Sequence, residues 1–542
     1  MCGIFFGCQD CDSSEELISD HLKLLLRNRG PDFTDCKTLK IDQLHLLFMA
    51  SVLHMRGTSL TQQPVLDDHG NILLFNGEIF SDFHSNEFSD TQFLSQKLSL
   101  ITDEDSFLEV ITQIKGPFAL IYYQSASKLL WFGRDIVGRK SLCWLYETDP
   151  FRIKVSSVCE PHGKLWTEVP AQGFYSLNLD SESSGFREIK CSRWSKSLSG
   201  TVIDLDSLLI SPIKNEFNDS IPNALQVFID TPQSLLKSFQ AILEEAIRKR
   251  CDLFSLRCDD CIKSESTCNH SSVGILFSGG LDSTVLAILS DKFIPNCQSI
   301  DLLNVAFSEN APDRETGLIA LEELQVLCPK RKWNFVAINI SKAELEEARD
   351  THIKYLVKPL ETVLDDSIAC ALWFAAQGKG KLQCSPQSAS DLSFYSSPAR
   401  VVLVGMGADE QLAGYSRHQK VFNERGYTGL VEEMRMEIDR ISQRNLGRDD
   451  RVISDLHRDA RFPFLDEDVI DFLHSLPVYQ KVNLTLGRGH GEKLLLRNLA
   501  TKLGLKKTAF NWKRAIQFGS RIAKLESKNE KGDSICTRLH SQ

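Results

Sequence analysis

The 542-residue sequence has no uninterrupted apolar stretch of membrane-spanning length, no long run of basic residues and no internal repeat. The first absence argues against a spanning helix. The second goes with 62 Lys and Arg against 72 Asp and Glu, a net charge of −10, so no nucleic-acid partner is expected. The third argues against a solenoid or propeller. The opening Met1-Cys-Gly-Ile-Phe-Phe-Gly7 lacks the basic n-region and long apolar core of a signal peptide. Sixteen cysteines in a chain without that signal read as reduced thiols rather than a disulfide framework, and a cytoplasmic setting is expected. The rest is an ordinary globular composition, 42% hydrophobic and 25% charged. The length exceeds what one core usually serves, which favours two domains.

Along residues 2–193, short β-rich runs alternate with turns: Leu44–Ala50, Ile72–Phe75, Phe118–Tyr123 and Leu129–Phe132. One helical pattern, Glu15 to Arg27, interrupts them. Residues 194–232 are rich in Ser, Asp and Asn and read as a linker. Gln233 to Arg250 has apolar residues at helical spacing and opens a second region, 233–525. There, buried-type runs (Val273–Phe277, Leu303–Phe307, Arg400–Val404) alternate with helices, the rhythm of a doubly wound parallel sheet covered on both faces. Residues 526–542 are polar and expected to be disordered.

Cys2 becomes the first residue if Met1 is removed, and a thiol there carries its own base in the α-amino group. By itself this is equally a buried cysteine. Asn76-Gly77 between apolar runs is likewise a strong hairpin signal. Further along come Arg27-Asn-Arg-Gly-Pro-Asp32, Phe75-Asn-Gly-Glu78, Ser89-Asp90 and Gly133-Arg-Asp-Ile-Val-Gly138. In that order and spacing the set resembles the class II glutamine amidotransferase domain, an α+β N-terminal-nucleophile sandwich. The resemblance implies that Cys2 attacks the glutamine amide. It also implies that Asn76 and Gly77 form an oxyanion hole, and that Glu78 and Asp90 help hold glutamine. The family's arginine for the glutamine carboxylate falls on Val52 in an ungapped alignment; Arg56 lies four residues further on and serves only if the loop is rearranged.

Val273-Gly-Ile-Leu-Phe-Ser-Gly-Gly-Leu-Asp-Ser283 is a buried strand, a Gly-Gly turn and a helix start, a geometry whose backbone N–H groups can close on phosphate. No Gly-x4-Gly-Lys follows, so it is not a Walker loop. Ser278–Ser283 resembles the pyrophosphate loop of ATP pyrophosphatases. Val404–Tyr415, Asp459–Asp466 and Lys513–Ser520 resemble, in order, three further segments of the asparagine synthetase family. This resemblance implies ATP binding by Phe277, Ser278, Gly279, Gly280, Asp282, Ser283, Ala306, Val404, Gly405 and Asp409. Mg²⁺ is implied on Asp282 and Asp409, with Lys513 stabilising charge on pyrophosphate. The implied partners are glutamine and a carboxylate substrate, aspartate by family, and a homodimer stays open.

Three positions depart from that family. Its proton-carrying glutamate in the second loop is Met406 here. In Glu361-Thr-Val-Leu-Asp-Asp-Ser-Ile-Ala369, an Asp is replaced by Leu364 and an Arg by Ala369, with Asp365 and Asp366 beside the vacated site. Losing a guanidinium that pairs a carboxylate bidentately is not a conservative change. Cys251, Cys258, Cys261 and Cys268 have the spacing C-x6-C-x2-C-x6-C, either a four-thiolate zinc site or a reduced exposed loop. The functions that stay open are a glutamine-hydrolysing, ATP-dependent asparagine synthase-like amidotransferase, an amidotransferase with a different acceptor, or a non-catalytic ATP- or partner-binding scaffold.

Overall fold

A computed structural model describes residues 2–10, 16–57, 59–80, 88–161, 166–180, 187–194, 231–251, 270–383 and 393–525. Cys258, Cys261 and Cys268 lie outside the described residues, as do nearly all of the expected linker and the 526–542 tail.

The first 193 residues form two antiparallel six-stranded sheets. One contains β1 (Gly3–Asp10), β2 (Phe33–Ile41), β3 (Leu44–Val52), β8 (Cys143–Thr148), β9 (Phe151–Ser156) and β10 (Thr167–Glu168), in the order β10-β8-β9-β1-β3-β2. The other contains β4 (Val65–Leu66), β5 (Ile72–Gly77), β6 (Phe118–Gln124), β7 (Leu129–Arg134), β11 (Gly173–Asn178) and β12 (Ile189–Arg193), in the order β12-β11-β7-β6-β5-β4. Ile4, Phe6 and Phe48 of one sheet meet Leu74, Ile121 and Phe132 of the other in a single apolar cluster, which is how two half-buried sheets satisfy their period-2 patterns. Phe107 of helix Glu104–Thr112 covers the far side of the second sheet.

The early helix spans Asp20–Arg29, not Glu15–Arg27. Ser19 caps it by accepting from the Leu22 N–H, and the chain turns at Gly30. Glycine is required there, because a Cβ would stand 2.2 Å from the Ser51 carbonyl oxygen.

The remaining strands form a seven-stranded sheet: β13 (Val273–Leu276), β14 (Ile300–Ala306), β15 (Trp333–Asn339), β16 (Lys379–Gln383), β17 (Phe394–Ser396), β18 (Val401–Leu403) and β19 (Asp459–Arg461). Its order is β17-β16-β15-β14-β13-β18-β19. Five strands are parallel, but β16 and β17 are antiparallel, which corrects the all-parallel expectation. Two helical stretches, Lys342–Val357 and Val363–Gln377, separate β15 from β16, and they return the chain to the end it left. Alternate residues of β14 and β18 feed two different cores, so the sheet is covered on both faces. One of those cores also takes in Phe5, Leu22, Leu26 and Met49 from the first 193 residues, so apolar packing joins the two regions directly.

Candidate functional site

Cys2 stands immediately before β1, where its backbone N–H donates to Asn76 Oδ1 at 2.8 Å. Asn76 is fully buried near the end of β5, and its Nδ2 has no hydrogen-bond partner among the described residues. An unpaired buried donor costs about 1–3 kcal/mol, so one retained beside a thiol is suited to an incoming oxygen. Gln63 is clamped at both ends: its Oε1 accepts from the Phe75 N–H (2.7 Å) and its Nε2 donates to the Phe75 carbonyl (3.0 Å). That fixes Nε2 at 3.6 Å from Cys2 Sγ. The sequence reading missed Gln63, since a surface glutamine and a clamped one look alike in sequence.

A cavity of about 50 Å³ opens beside the thiol, lined by Gly77, Glu78 and Asp90 among others. Ser89 caps helix Asp90–Leu98 in a reciprocal capping box, which places Asp90 in its first turn and buries it. Burial pushes its carboxyl up to about 6; the Arg56 guanidinium at 3.3 Å pulls it down and Glu78 pushes it further up. Val52 and Arg56 both line the cavity. The chain leaves β3 at Val52, and the coil after it brings Arg56 back to donate to the Ile79 carbonyl at 3.1 Å. Arg56 thus reaches the cavity wall, where it pairs with Asp90 at 3.3 Å.

Other motif residues of this region turn to the second region instead. Arg29 donates to the Cys2 carbonyl and to Asp450 Oδ2 (3.4 and 2.7 Å). Arg139 pairs with Glu467 at 2.6 Å and Lys140 with Asp459 at 2.8 Å. Glu78 pairs with Arg461, and Glu168 bridges Arg134 and Arg451. Asp459–Asp466, read blandly as a core-packing turn, thus carries charges that clasp the amidotransferase-like region. Asp459 is held well below the usual carboxylate range: burial opposes its charge, and Lys140 and Arg461 outweigh it.

The larger cavity, 430 Å³, opens at the carboxyl ends of the parallel strands, where open α/β sheets bind ligands. Phe277, Ser278, Gly280, Asp282, Ser283, Val404, Gly405, Asp409 and Lys513 line it. Gly279 and Ala306 do not; Asn304 and Val305 line it from β14 instead. Gly279 has φ +70° against the backbone of the next helix, where a Cβ would meet the Gly317 nitrogen at 2.3 Å. Ser278 Oγ accepts from the Gly280 N–H at 3.2 Å, which shapes the loop ahead of helix Leu281–Ser290.

Asp282 and Asp409 come together around a residue that the sequence reading missed. Lys493 Nζ lies 2.5 Å from Asp282 and 2.7 Å from Asp409, while Lys513 Nζ lies 2.6 Å from Asp409. Burial works against the Asp409 charge, but the two ammoniums outweigh it and hold the carboxyl well below its usual range. Lys493 has φ +55° and stands just ahead of helix Leu494–Lys502. A cation at a helix N-terminus opposes the dipole, and that misfit was its available signal in the sequence. Asp282 Oδ1 is buried without a hydrogen-bond partner among the described residues, so Asp282 and Asp409 are the residues that would hold a divalent cation here. Asp313 also lines the cavity; burial pushes it up to about 7, while Lys513 and Arg514 pull it back.

The asparagine synthase family model matches residues 266–432 and 423–530. Asparagine synthetase domain-containing protein 1 of Homo sapiens is 42% identical over 99% of this chain and 98% of its own. The chain belongs to the asparagine synthetase domain-containing protein 1 family. The Gallus gallus member is 38% identical over 99% of this chain and all of its own. A putative asparagine synthetase (glutamine-hydrolyzing) 1 of Methanocaldococcus jannaschii is 23% identical over 91% of this chain and 82% of its own. Among solved structures, the glutamine phosphoribosylpyrophosphate amidotransferase from B. subtilis aligns with 57% of this chain and 67% of its own, at 14% identity and a TM-score of 0.26, too slight a likeness to argue from.

In this family member the carboxylates beside the departures at Leu364 and Ala369 are both engaged. Asp365 accepts from the Thr362 hydroxyl that caps helix Val363–Gln377 and pairs with Arg448 at 2.6 Å, and Asp366 pairs with Arg349 at 2.9 Å. Both lie beside the vacated site, and both are committed to ion pairs. Cys251 ends its helix buried; among the described residues no group of three His, Cys, Asp or Glu is placed to hold a metal. No described helix is long and apolar enough to cross a membrane.

Proposed function

We propose that this chain is an ATP-dependent, glutamine-hydrolysing amidotransferase of the asparagine synthetase type, made of residues 2–193 and 233–525 acting together. The observation that carries it is the pair of cavities in one packed molecule. In one, Cys2 stands beside an unpaired Asn76 donor, with Arg56 and Asp90 at hand. In the other, two carboxylates and two lysines gather beside a glycine-rich loop.

The thiol attacks the glutamine amide carbon, and the free α-amino group takes its proton and returns it to the departing ammonia. Asn76 Nδ2 and the backbone at Gly77 stabilise the oxyanion. Asp90 holds the substrate ammonium, and Arg56, drawn towards Asp90, is the cation available for its carboxylate. In the second cavity Ser278–Ser283 cradles phosphates at a helix start. Asp282 and Asp409 would hold Mg²⁺, which would supply charge neutralisation on the phosphates, and Lys493 and Lys513 contribute positive charge beside them. A substrate carboxylate displaces pyrophosphate from ATP, and ammonia then displaces AMP. Aspartate is the reference acceptor from the family name.

The test is production of glutamate, AMP and amide from glutamine, ATP, Mg²⁺ and a carboxylic acid, with a Cys2→Ala control. Products that depend on Cys2 support the reading. ATP binding with no turnover of any acid overturns it and supports a scaffold. One observation favours that second reading: Lys493 pairs with both carboxylates and so neutralises part of the charge that a cation would otherwise meet.

A further inference from the structure

One wall of the 430 Å³ cavity is neither nucleotide loop nor lysine. Helix Val363–Gln377 contributes Leu364, Ile368 and Leu372, at i, i+4 and i+8 on one face. Met406 lies beside them, where its thioether accepts a 3.6 Å contact from Asn445 Nδ2. Asn445 and Arg444 sit in a π-turn, Ser442–Leu446, that interrupts an otherwise α-helical path. Such turns are rare and concentrate at functional sites, because they redirect side chains out of helical register.

The charges on this wall are uneven. The carboxylates near it are already engaged. Asp365 holds Arg448 and Asp366 holds Arg349. Glu437 holds both Arg417 and Arg440. Glu410 accepts from the Tyr415 hydroxyl at 2.5 Å, from Asn445 at 3.2 Å and from the Gly407 N–H at 3.1 Å. Arg444 lines the cavity and is exposed, and among the described residues its guanidinium has no ion pair. The wall therefore offers a permanent cation and apolar surface, and its own carboxylates are all engaged. Asp313, the cavity-lining carboxylate without an ion pair among the described residues, is pushed towards its neutral form by burial and lies by Lys513 and Arg514 rather than on this wall.

We infer that the acceptor is a dicarboxylic acid without an amino group, its far carboxylate held by Arg444 and its methylene body lying on Leu364, Ile368 and Met406. This rests on the amidotransferase reading. The near carboxylate oxygen attacks the α-phosphorus of ATP and pyrophosphate leaves; ammonia then attacks the acyl carbon, AMP leaves and one proton is released. Aspartate is disfavoured because its ammonium finds only arginine and thioether.

Binding is measured separately from turnover, so the two readings fail separately. Succinate and aspartate are titrated into the full-length Cys2→Ala protein saturated with Mg²⁺ and a non-hydrolysable ATP analogue. Succinate is expected to bind at least about tenfold more tightly than aspartate, and Arg444→Gln to weaken succinate by about tenfold or more while analogue affinity is unchanged. Arg444→Lys should retain part of the affinity, and Met406→Glu should shift preference towards aspartate. Aspartate binding as tightly as succinate, no binding of either acid, or indifference to Arg444→Gln each overturns the inference. Selective, Arg444-dependent succinate binding with no pyrophosphate release from ATP itself keeps the dicarboxylate preference of this wall but removes the enzyme reading, and with it the role of acceptor.

Discussion

The two cavities solve the burial of charge in different ways. Around Cys2, polar groups are held by neutral hydrogen bonds from strand backbones, as with Gln63 on Phe75, and by ion pairs that cross to the second region. In the larger cavity, carboxylates and lysines neutralise one another over long separations, Lys493 with Asp282 across 211 residues and Lys513 with Asp409 across 104. The first cavity is small, about 50 Å³, and the second is about 430 Å³ and is lined by an arginine with no ion pair among the described residues. Under the proposed function the narrow site has room for one amide substrate, while the wide one has room for a nucleotide and a further anion and could change its acceptor without changing its phosphate-binding residues.

The sharpest break of this comparison uses one variant per cavity. Cys2→Ala should lower glutaminase activity by roughly a thousandfold or more and leave ammonium-supported pyrophosphate release intact; Asp409→Asn should do the reverse. Equal loss of both activities from either variant would mean that the sites are not chemically separable.

A smaller effect tests the clasp between regions. Asp450→Ala leaves Arg29 buried without its partner at 2.7 Å, and truncating such a pair costs about 3–5 kcal/mol. Denaturant unfolding should show that loss, and glutaminase activity should fall with it because Arg29 also holds the Cys2 carbonyl. Lys115→Ala, at a half-exposed pair with Asp468, should cost under about 1 kcal/mol.

The pH response distinguishes the cavities next. Asp90 rises from 3.8 to about 6 on burial, so the fold favours its neutral form. Its contribution to stability therefore declines as pH rises from about 4 to 6, and above 6 the carboxylate is ionised. Glutamine binding needs that carboxylate, so KM for glutamine should rise about tenfold per pH unit below 6. Asp90→Asn should raise KM throughout and flatten the profile. A wild-type KM independent of pH between 5 and 7 would remove Asp90 from the substrate ammonium.

Much of this was legible in the sequence because it is local. Runs such as Leu44–Ala50 and Phe118–Tyr123 reappear as strands one or two residues longer, since period-2 burial is written into neighbouring residues. The helix start was misplaced because Ser19, not the first apolar-periodic residue, supplies the cap. The antiparallel edge was invisible, since direction depends on how many helical stretches intervene.

Sequence by itself determined the order of motifs and the strand, Gly-Gly turn and helix start at Ser278–Ser283, which depend on residue types at short spacing. The Cys2, Asn76 and Asp90 set and the departures at Met406, Leu364 and Ala369 were legible through the resemblance of those motifs to a family. Only the tertiary structure decided that Arg56 returns to the cysteine cavity, that Lys493 bridges Asp282 and Asp409, and that Asp365 and Asp366 are already paired. It also decided that Arg444 faces the larger cavity. The physical reason is that an ion pair depends on a distance of a few ångströms between side chains, and only the folded chain brings residues such as Arg56 and Asp90, 34 positions apart, or Lys493 and Asp282, 211 apart, to that distance.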